Sequence, residues 1–138
     1  MKKFELTTDS IKRNGVTLYR IKSLIDFEDV KAGDLGGYVE KEENLSQYGD
    51  ALVRGNAEVS GDACVSGDAD YIYLKGFGSH NSSTTMFRAK GGNICVSCGC
   101  FSGTLEEFES KVKETHGSNK FAREYLALVE VAKIHFEV

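Results

Sequence analysis

Residues 49–69 read GDALVRGNAEVSGDACVSGDA, in which one six-residue word occurs three times and begins a fourth. Each word opens with glycine and then aspartate or asparagine, which supply a corner: glycine accepts positive φ angles and the Asx side chain bonds to nearby backbone. Alternate residues of a strand point to the same face. The alternate apolar positions are Ala51, Val53, Ala57, Val59, Ala63 and Val65, followed by Ala69 and Tyr71. The repeat therefore predicts short strands whose Ala and Val side chains share an inward face.

Three such words make one triangular coil, and stacked coils form a parallel β-solenoid with an aliphatic core. If looser words are admitted, the repeat extends over residues 33–75, with Val39 and Leu45 in the alanine column and Gln47 interrupting the valine column. Because two coils are short for such a stack, both ends need covers, which the flanking segments are predicted to supply. A calcium-binding repeat is the alternative, but its period is nine residues and its glycines are paired.

A β-hairpin is predicted before the repeat, with its turn at Asn14 and Gly15. Residues 23–30 are predicted to include one helical turn. After the repeat, residues 71–74 continue as strand, and residues 84–90 and 93–97 flank a Gly-Gly turn as a second hairpin.

Two amphipathic helices are predicted to follow the second hairpin. Thr104 and Glu107 have the spacing of a capping box, which predicts a helix that ends at Gly117. The first helix would bury Leu105, Phe108 and Val112, and the second, over about residues 120–133, would bury Phe121, Tyr125, Leu128 and Ala132. The predicted fold is mainly β with α. It comprises an N-terminal β-hairpin cap (residues 1–32), a short hexapeptide-repeat β-solenoid (residues 33–75) and a C-terminal α/β lobe of a hairpin and two helices (residues 76–138).

Composition and charge narrow the classes of function. The 138 residues have no proline and a net charge of −4, and no apolar run has the length of a membrane span, so a cytoplasmic protein is expected. Residues 40–70 carry two basic and eight acidic side chains, whereas residues 71–103 carry three basic and no acidic ones. A stretch without carboxylates that follows an acidic repeat predicts a site for an anion.

The polar run that begins at Ser79 is the first candidate site. Hydroxyl groups beside a guanidinium, without a competing carboxylate, are the donors that a phosphate prefers. The predicted ligand-binding residues are Ser79, His80, Asn81, Ser82, Thr84, Thr85, Arg88 and Lys90. In an extended chain Ser82, Thr84, Met86, Arg88 and Lys90 share one face, and Phe87 and Ala89 share the other. The alternative is a solvated Ser/Thr-rich loop beside a strand with one polar face.

The cysteines are the second candidate. Cys95, Cys98 and Cys100, with His116 or His80, form a possible zinc-ligand set, but a structural zinc site usually pairs two such knuckles and the second is missing. Cys95 is equally consistent with a small buried apolar residue. A catalytic thiol paired with His116 lacks an evident orienting acid. We therefore expect no metal, cofactor or catalytic residue, and assign His116 to the end of the first helix, where a cation complements the helix dipole.

Several motifs together resemble a family of small phage and prophage proteins. They are GDLGGYVE at residues 33–40, the hexapeptide words, CGCFSGTLEEF at residues 98–108 and KETHG at residues 113–117. The resemblance covers nearly the whole chain. It implies a phage setting inside a bacterial host cell, where small phage proteins often inhibit bacterial defence.

The hexapeptide repeat also invites comparison with trimeric acyltransferases. Those enzymes have long solenoids and a catalytic histidine in or beside a coil, whereas residues 33–75 are few and contain no histidine. The sequence therefore predicts a non-enzymatic binding protein of phage type that sequesters a nucleotide-like anionic small molecule as a counter-defence inhibitor. A homo-oligomer is expected, with a trimer favoured, and neither membrane nor direct nucleic-acid binding is expected.

Two other functions stay open. The first is an acidic protein-binding inhibitor that mimics nucleic acid in the manner of an anti-CRISPR protein and acts on a bacterial defence effector. Its acidic face would comprise Asp50, Glu58, Asp62 and Asp68, although corner aspartates also serve turn geometry. The second is a minor phage structural or assembly protein, in which the short solenoid is a trimerising element.

Overall fold

The computed structural model of the protein describes residues 2–13, 15–49, 51–67, 70–77, 82–98 and 101–138. Over these residues the fold is mixed β with α: two four-stranded sheets are followed by two C-terminal helices. The first sheet contains β1 (Phe4–Arg13), β2 (Val16–Ser23), β3 (Leu35–Val39) and β4 (Glu58–Val59). The second contains β5 (Tyr71–Phe77), β6 (Ser82–Arg88), β7 (Ile94–Cys98) and β8 (Phe101–Thr104), and the helices are α1 (Leu105–His116) and α2 (Lys120–His135).

The first sheet has the order β1-β2-β3-β4. β1 and β2 form the predicted hairpin, with a shift of register between Leu6 and Ser10. The predicted helical turn in residues 23–30 is wrong, because this segment contains bends and an isolated bridge between Phe27 and Val30. The carboxylate of Asp26 accepts a hydrogen bond from the backbone of Ala32, which favours a loop over a helical turn.

The hexapeptide words bury the side chains that the repeat predicts. Ala51, Val53, Ala57, Val59, Ala63 and Val65 are all within 1% of complete burial, as are Val39 and Leu45. The rows pair in parallel where Val39 meets Val59 and where Leu45 meets Val65. Within the described residues, regular strand in the words is confined to the two residues of β4, and these assignments do not show the predicted β-solenoid.

A buried asparagine joins two rows of this region. The side-chain oxygen of Asn44 accepts hydrogen bonds from the backbone N–H groups of Glu40 and Lys41. Its side-chain nitrogen donates to the carbonyl oxygens of Gly61 and Ala63, at 3.0 and 3.3 Å. The side chain is completely buried, and its bond to Ala63 is buried at both ends.

Segments before and after the hexapeptide region both contact it, each near one end of its sequence. At the first end, the side-chain oxygen of Gln47 accepts from the backbone N–H groups of Lys3 and Phe4, and its nitrogen donates to the carbonyl of Phe4. Gln47, which interrupts the valine column, therefore binds the first hairpin. At the other end Ala63 pairs antiparallel with Ala89, just beyond β6. We call this pairing the sheet junction.

The second sheet has the order β5-β6-β7-β8, with antiparallel neighbours. Residues 71–75, predicted as the last part of the solenoid, begin β5 and pair with β6. β8 was not predicted. The capping box of α1 is confirmed, and α2 extends two residues beyond the predicted end. Phe121 was predicted to be buried but is half-buried, and its ring lies beside that of His116.

Buried side chains form two clusters that share β6. One lies inside the hexapeptide region and takes Phe87 from β6, and the other lies between the second sheet and the helices and takes Met86. Neighbouring residues of one strand therefore enter different cores. Among the described residues, neither helix has the length and apolarity needed to cross a membrane.

We expect Asn44→Ala to lower the free energy of unfolding by about 2–4 kcal/mol, because two N–H and two C=O groups lose their buried partner. Urea unfolding of the whole chain measures the change. Asn56→Ala is the matched control, since Asn56 is exposed and its side chain accepts one hydrogen bond from Arg20. Equal midpoints for the two variants would contradict the role of Asn44.

Candidate functional site

The predicted ligand-binding residues begin in a segment that lies partly outside the described residues. Ser79, His80 and Asn81 belong to that part, and Ser82 is the first residue of β6. The alternation predicted along β6 is confirmed where side chains are described, with Met86 in the helix-side cluster and Phe87 in the hexapeptide cluster. Both faces of β6 are therefore covered.

Thr84 and Thr85 are buried within the fold, with 0% and 2% of their surface exposed. The hydroxyl of Thr84 donates to the sulfur of Cys98 at 3.2 Å, under the helices. The hydroxyl of Thr85 accepts from the backbone N–H of Glu58 at 3.0 Å, on the opposite face. The prediction that these two hydroxyls bind one ligand is wrong, because they lie on opposite faces of β6 and each forms a hydrogen bond inside a different core.

Arg88 is oriented by two contacts. Its Nε donates to Oδ1 of Asp70 at 3.0 Å, and its guanidinium carbon lies 5.3 Å from the ring centroid of Phe136. The side chain is 35% exposed. The expectation of no competing carboxylate fails, since Asp70 stands one residue before the carboxylate-free stretch and the fold brings it to Arg88.

Asp70 is itself held firmly. Its Oδ2 accepts from the backbone N–H of Ser66 at 2.9 Å and from the Ser66 hydroxyl at 2.8 Å. Burial by itself would raise the pKa of Asp70, but these two hydrogen bonds and the one from Arg88 outweigh it and hold the pKa below its ordinary value. An ionised carboxylate therefore fixes the guanidinium at neutral pH. Sequence reasoning missed Asp70, although its spacing of four residues from Ser66 is a pattern of local side-chain bonding.

The terminal nitrogens of Arg88 donate no hydrogen bond within the part of the chain that the structure describes. Two residues further on, Lys90 is exposed. The backbone at both residues is held across the sheet junction: the Arg88 carbonyl accepts from Cys64, and the Lys90 N–H donates to the carbonyl of Asp62. Among the predicted residues whose side chains the structure describes, Arg88 and Lys90 are thus the ones that the fold leaves able to contact an anion. We call them the cationic pair.

The cysteine set does not converge. Cys95 and Cys98 lie three residues apart in one strand, which places them on opposite faces of the sheet. Cys95 packs against the hexapeptide cluster and Cys98 against the helix-side cluster, so the two thiols cannot bind the same metal ion. Cys100 lies outside the described residues. Within those residues, no group of three or more His, Cys, Asp or Glu side chains could hold a metal ion.

Burial raises the pKa of the Cys95 thiol, with smaller contributions from Asp62 and from the carboxylates at the start of α1. Cys95 is therefore a neutral thiol at physiological pH, as the apolar interpretation predicts. Cys98 instead donates to the hydroxyl of Tyr125 at 3.7 Å. Burial, and then this bond with Cys98, raises the pKa of Tyr125.

His116 is the last residue of α1, as predicted, and Gly117 follows with a positive φ of 62°. The His116 ring stacks on Tyr125, with centroids 6.1 Å apart and planes 27° apart, and it also lies beside Phe121. His116 therefore connects the end of α1 to α2 through aromatic contact.

The predicted acidic face is partly neutralised by other segments. Glu58 is buried and accepts from Nε of Arg13 at 3.1 and 3.3 Å, and Glu42 pairs with Lys2 at 2.7 Å. Asp62 is exposed. Asp50 and Asp68 lie outside the described residues. Of the six acidic side chains in residues 40–70 that the structure describes, Glu42, Glu58 and Asp70 thus have a cationic partner from another segment.

A cavity of about 260 Å³ lies elsewhere, between the loop after β2 and a corner of the hexapeptide region. Arg54 lines it and donates to both carboxylate oxygens of Asp29, at 3.3 and 3.0 Å. The lining also includes Leu35 and Leu52, and it contains none of the predicted ligand-binding residues.

No protein-family model matches the chain, and no curated protein gives a significant match to its sequence.

We expect Asp70→Asn to lower the free energy of unfolding at pH 7 by about 1–2 kcal/mol, since a charged acceptor of three hydrogen bonds becomes neutral. Because its folded-state pKa is depressed, the native carboxylate stabilises the fold at neutral pH, and that contribution is lost as the pH falls below about 4. The difference between the variant and the parent should therefore shrink on acidification. Urea unfolding at pH 7 and pH 3 measures it, with the exposed Asp62→Asn as control, and a difference that grows with acid would contradict this assignment.

Proposed function

We propose that the protein is a non-enzymatic binding protein that captures a small anionic, nucleotide-like ligand through the cationic pair, Arg88 and Lys90. The observation that carries this proposal is the orientation of Arg88. Its Nε is held by Asp70 and its plane lies over Phe136, while the terminal nitrogens have no partner among the described residues. A guanidinium fixed in this way loses less conformational freedom when it binds a phosphate.

The chemistry of the pair favours a phosphate-bearing ligand. A guanidinium can donate two parallel hydrogen bonds to phosphate oxygens, and an ammonium group adds a mobile point charge. Asp70 offsets one of the two positive charges, so a bare inorganic anion should bind weakly. Tighter binding would require further contacts with the organic part of a ligand, which a nucleotide can make and free phosphate cannot.

The biological role follows from the resemblance to small phage and prophage proteins. In that setting, a protein that captures a nucleotide without cleaving it would act as a sponge that lowers the concentration of a defence signal in the host. We propose this counter-defence role for the chain. The resemblance is its support, together with a predicted site that consists of binding groups.

The architecture proposed for residues 33–66 is two coils of the predicted hexapeptide solenoid. In its support, both parallel pairings, Val39 with Val59 and Leu45 with Val65, join residues 20 positions apart. This offset equals three six-residue words plus two residues, and it is the same for both pairings. Regular burial of the Ala and Val columns supports the same architecture.

The ligand site is tested by titrating the full chain with 5′-AMP and with inorganic pyrophosphate in a calorimeter. We expect Arg88→Ala to weaken binding of either probe at least about tenfold, a change of 1.4 kcal/mol. Lys90→Ala, at an exposed position, should weaken it by a smaller factor without altering the fold. Arg54→Ala is the matched control, because Arg54 is also held by an aspartate but lines the separate cavity beside Leu35 and Leu52.

Equal binding by the Arg88→Ala and Arg54→Ala variants would overturn the proposed site. Because Arg88 also contacts Asp70, the urea midpoint of each variant is measured alongside, and Lys90→Ala keeps the test valid if Arg88→Ala unfolds. Native mass spectrometry of the protein purified from host cells then identifies the retained ligand by its mass.

The nucleic-acid mimic is the second candidate, and the exposed carboxylates of Glu43 and Asp62 are the observation in its favour. The ion pairs of Glu42, Glu58 and Asp70 count against it, because paired carboxylates present little field to a basic partner. On this alternative, Asp62→Lys would abolish inhibition of a defence effector while Arg88→Ala would leave it intact.

A further inference from the structure

The cavity beside the loop after β2 lies outside the proposed ligand site and has both charged and apolar walls. It has a volume of about 260 Å³ and is called the corner cavity below. This volume is just below the ~300–1,000 Å³ of most ligand pockets, so it suits a small organic molecule. Its charged lining residues are Asp29, Asp34 and Arg54, and its apolar ones are Val30, Leu35 and Leu52.

The carboxylates of the corner cavity are held in position by the protein itself. Two nitrogens of Arg54 donate to the two carboxylate oxygens of Asp29, at 3.3 and 3.0 Å. The hydrogen bond from Arg54 is the main cause that lowers the pKa of Asp29, so this carboxylate is ionised at neutral pH. Oδ2 of Asp34 accepts from the backbone N–H of Lys31 at 3.0 Å, and the Asp34 N–H donates back to the Lys31 carbonyl at 2.9 Å. Both acceptors are therefore oriented before a ligand binds.

The charged groups of the lining favour a cation. They comprise two carboxylates and one guanidinium, which leaves one net negative charge. An anion would have to compete with Asp29 for the nitrogens of Arg54 that already donate to it. A carboxylate oxygen can accept more than one hydrogen bond, so Asp29 and Asp34 can still receive a donor from a ligand.

The apolar residues of the lining favour a cation that has an organic body. Leu35 is the first residue of β3 and is 62% exposed, whereas Val30 and Leu52 are buried. Removing an exposed leucine side chain from water is favourable, and an aliphatic group can do this. A hydrated inorganic ion would leave Leu35 in contact with water.

We propose that the corner cavity binds a small alkylammonium ligand, whose ammonium group donates to the carboxylates of Asp29 and Asp34 and whose aliphatic body lies on the apolar residues. A primary ammonium has three donors and one positive charge, which matches the net charge of the lining. Hydrogen bonds between an ammonium and a carboxylate are also stronger than those between neutral groups. This site takes a ligand of opposite charge to that of the cationic pair, and it does not depend on the proposed function.

NMR titration of the ¹⁵N-labelled full chain with isoamylamine tests the proposal. Isoamyl alcohol and isovalerate are the matched probes, because they have similar aliphatic bodies with no charge and with a negative charge. We expect isoamylamine to shift the amide signals of Gly36 and Gly55, which line the cavity, with a dissociation constant on the order of 1 mM. The other two probes should bind at least about tenfold more weakly. Shifts that do not saturate, or equal binding of the amine and the alcohol, would overturn the proposal.

Substitution of Asp34 tests the role of the carboxylates. Asp34→Asn keeps the size of the side chain but removes its charge, so it should weaken binding of isoamylamine at least about tenfold. Asp26→Asn is the matched control: Asp26 is exposed in the same loop and accepts one backbone N–H, from Ala32 at 2.8 Å, but it does not line the cavity. Equal affinities of these two variants would contradict the proposed site.

Leu35→Ser tests the apolar wall and keeps the test valid if Asp34→Asn unfolds. Because Leu35 is exposed, this variant should retain the urea midpoint of the parent, while it binds isoamylamine several-fold more weakly. Unchanged affinity in Leu35→Ser would show that the aliphatic body does not lie on this residue, and the proposal would be wrong.

Discussion

The sheet junction is the contact on which the rest of the structure depends. Ala63 and Ala89 pair there, and two backbone hydrogen bonds of 2.9 Å flank them, from Cys64 to Arg88 and from Lys90 to Asp62. This pairing joins the hexapeptide region to the second sheet. The same residues carry the cationic pair. A short antiparallel contact thus provides both the connection of the two cores and the backbone position of the candidate site.

Polar groups around this junction are satisfied by residues from distant parts of the chain. The Thr85 hydroxyl accepts a hydrogen bond from the backbone N–H of Glu58. The Glu58 carboxylate in turn accepts one from Nε of Arg13 in the first hairpin. Asn44 plays the same role between the rows of the repeat. Because a buried polar group without a partner costs about 1–3 kcal/mol, these bonds favour one arrangement of the rows over shifted ones.

The sequence predicts those features of the structure that are determined by residues close to one another in the chain. The inward Ala and Val columns, the capping box of α1 and the alternation along β6 follow from neighbours in sequence, and the structure confirms them. Asp70 was missed because its pairing with Arg88 needs β5 and β6 to lie side by side. The predicted zinc ligands do not come together, and the reason is local. Cys95 and Cys98 are three residues apart in one strand, so their side chains lie on opposite faces of the sheet.

The candidate site shows the same division. The sequence predicted Arg88 and Lys90 on one strand face, but β6 ends at Arg88 and Lys90 begins a short 3-10 turn. It also grouped them with Thr84 and Thr85, whose hydroxyls form hydrogen bonds inside the two cores. Segment charges also misled, since the net charge of residues 40–70 ignores the cations that Lys2, Arg13 and Arg88 bring to it. Charge counted along a chain describes a surface only where the fold leaves those groups unpaired.

The bond between Gln47 and Phe4 bears on how the chain folds. Gln47 lies more than forty positions from the backbone groups that it binds, and Arg13 is equally distant from Glu58. During synthesis the first hairpin emerges long before its partners, and closing such large loops costs entropy before any contact repays it. The region between β2 and β5 should therefore be the slow-forming part of the molecule, whereas the α1–α2 hairpin can form from local contacts alone.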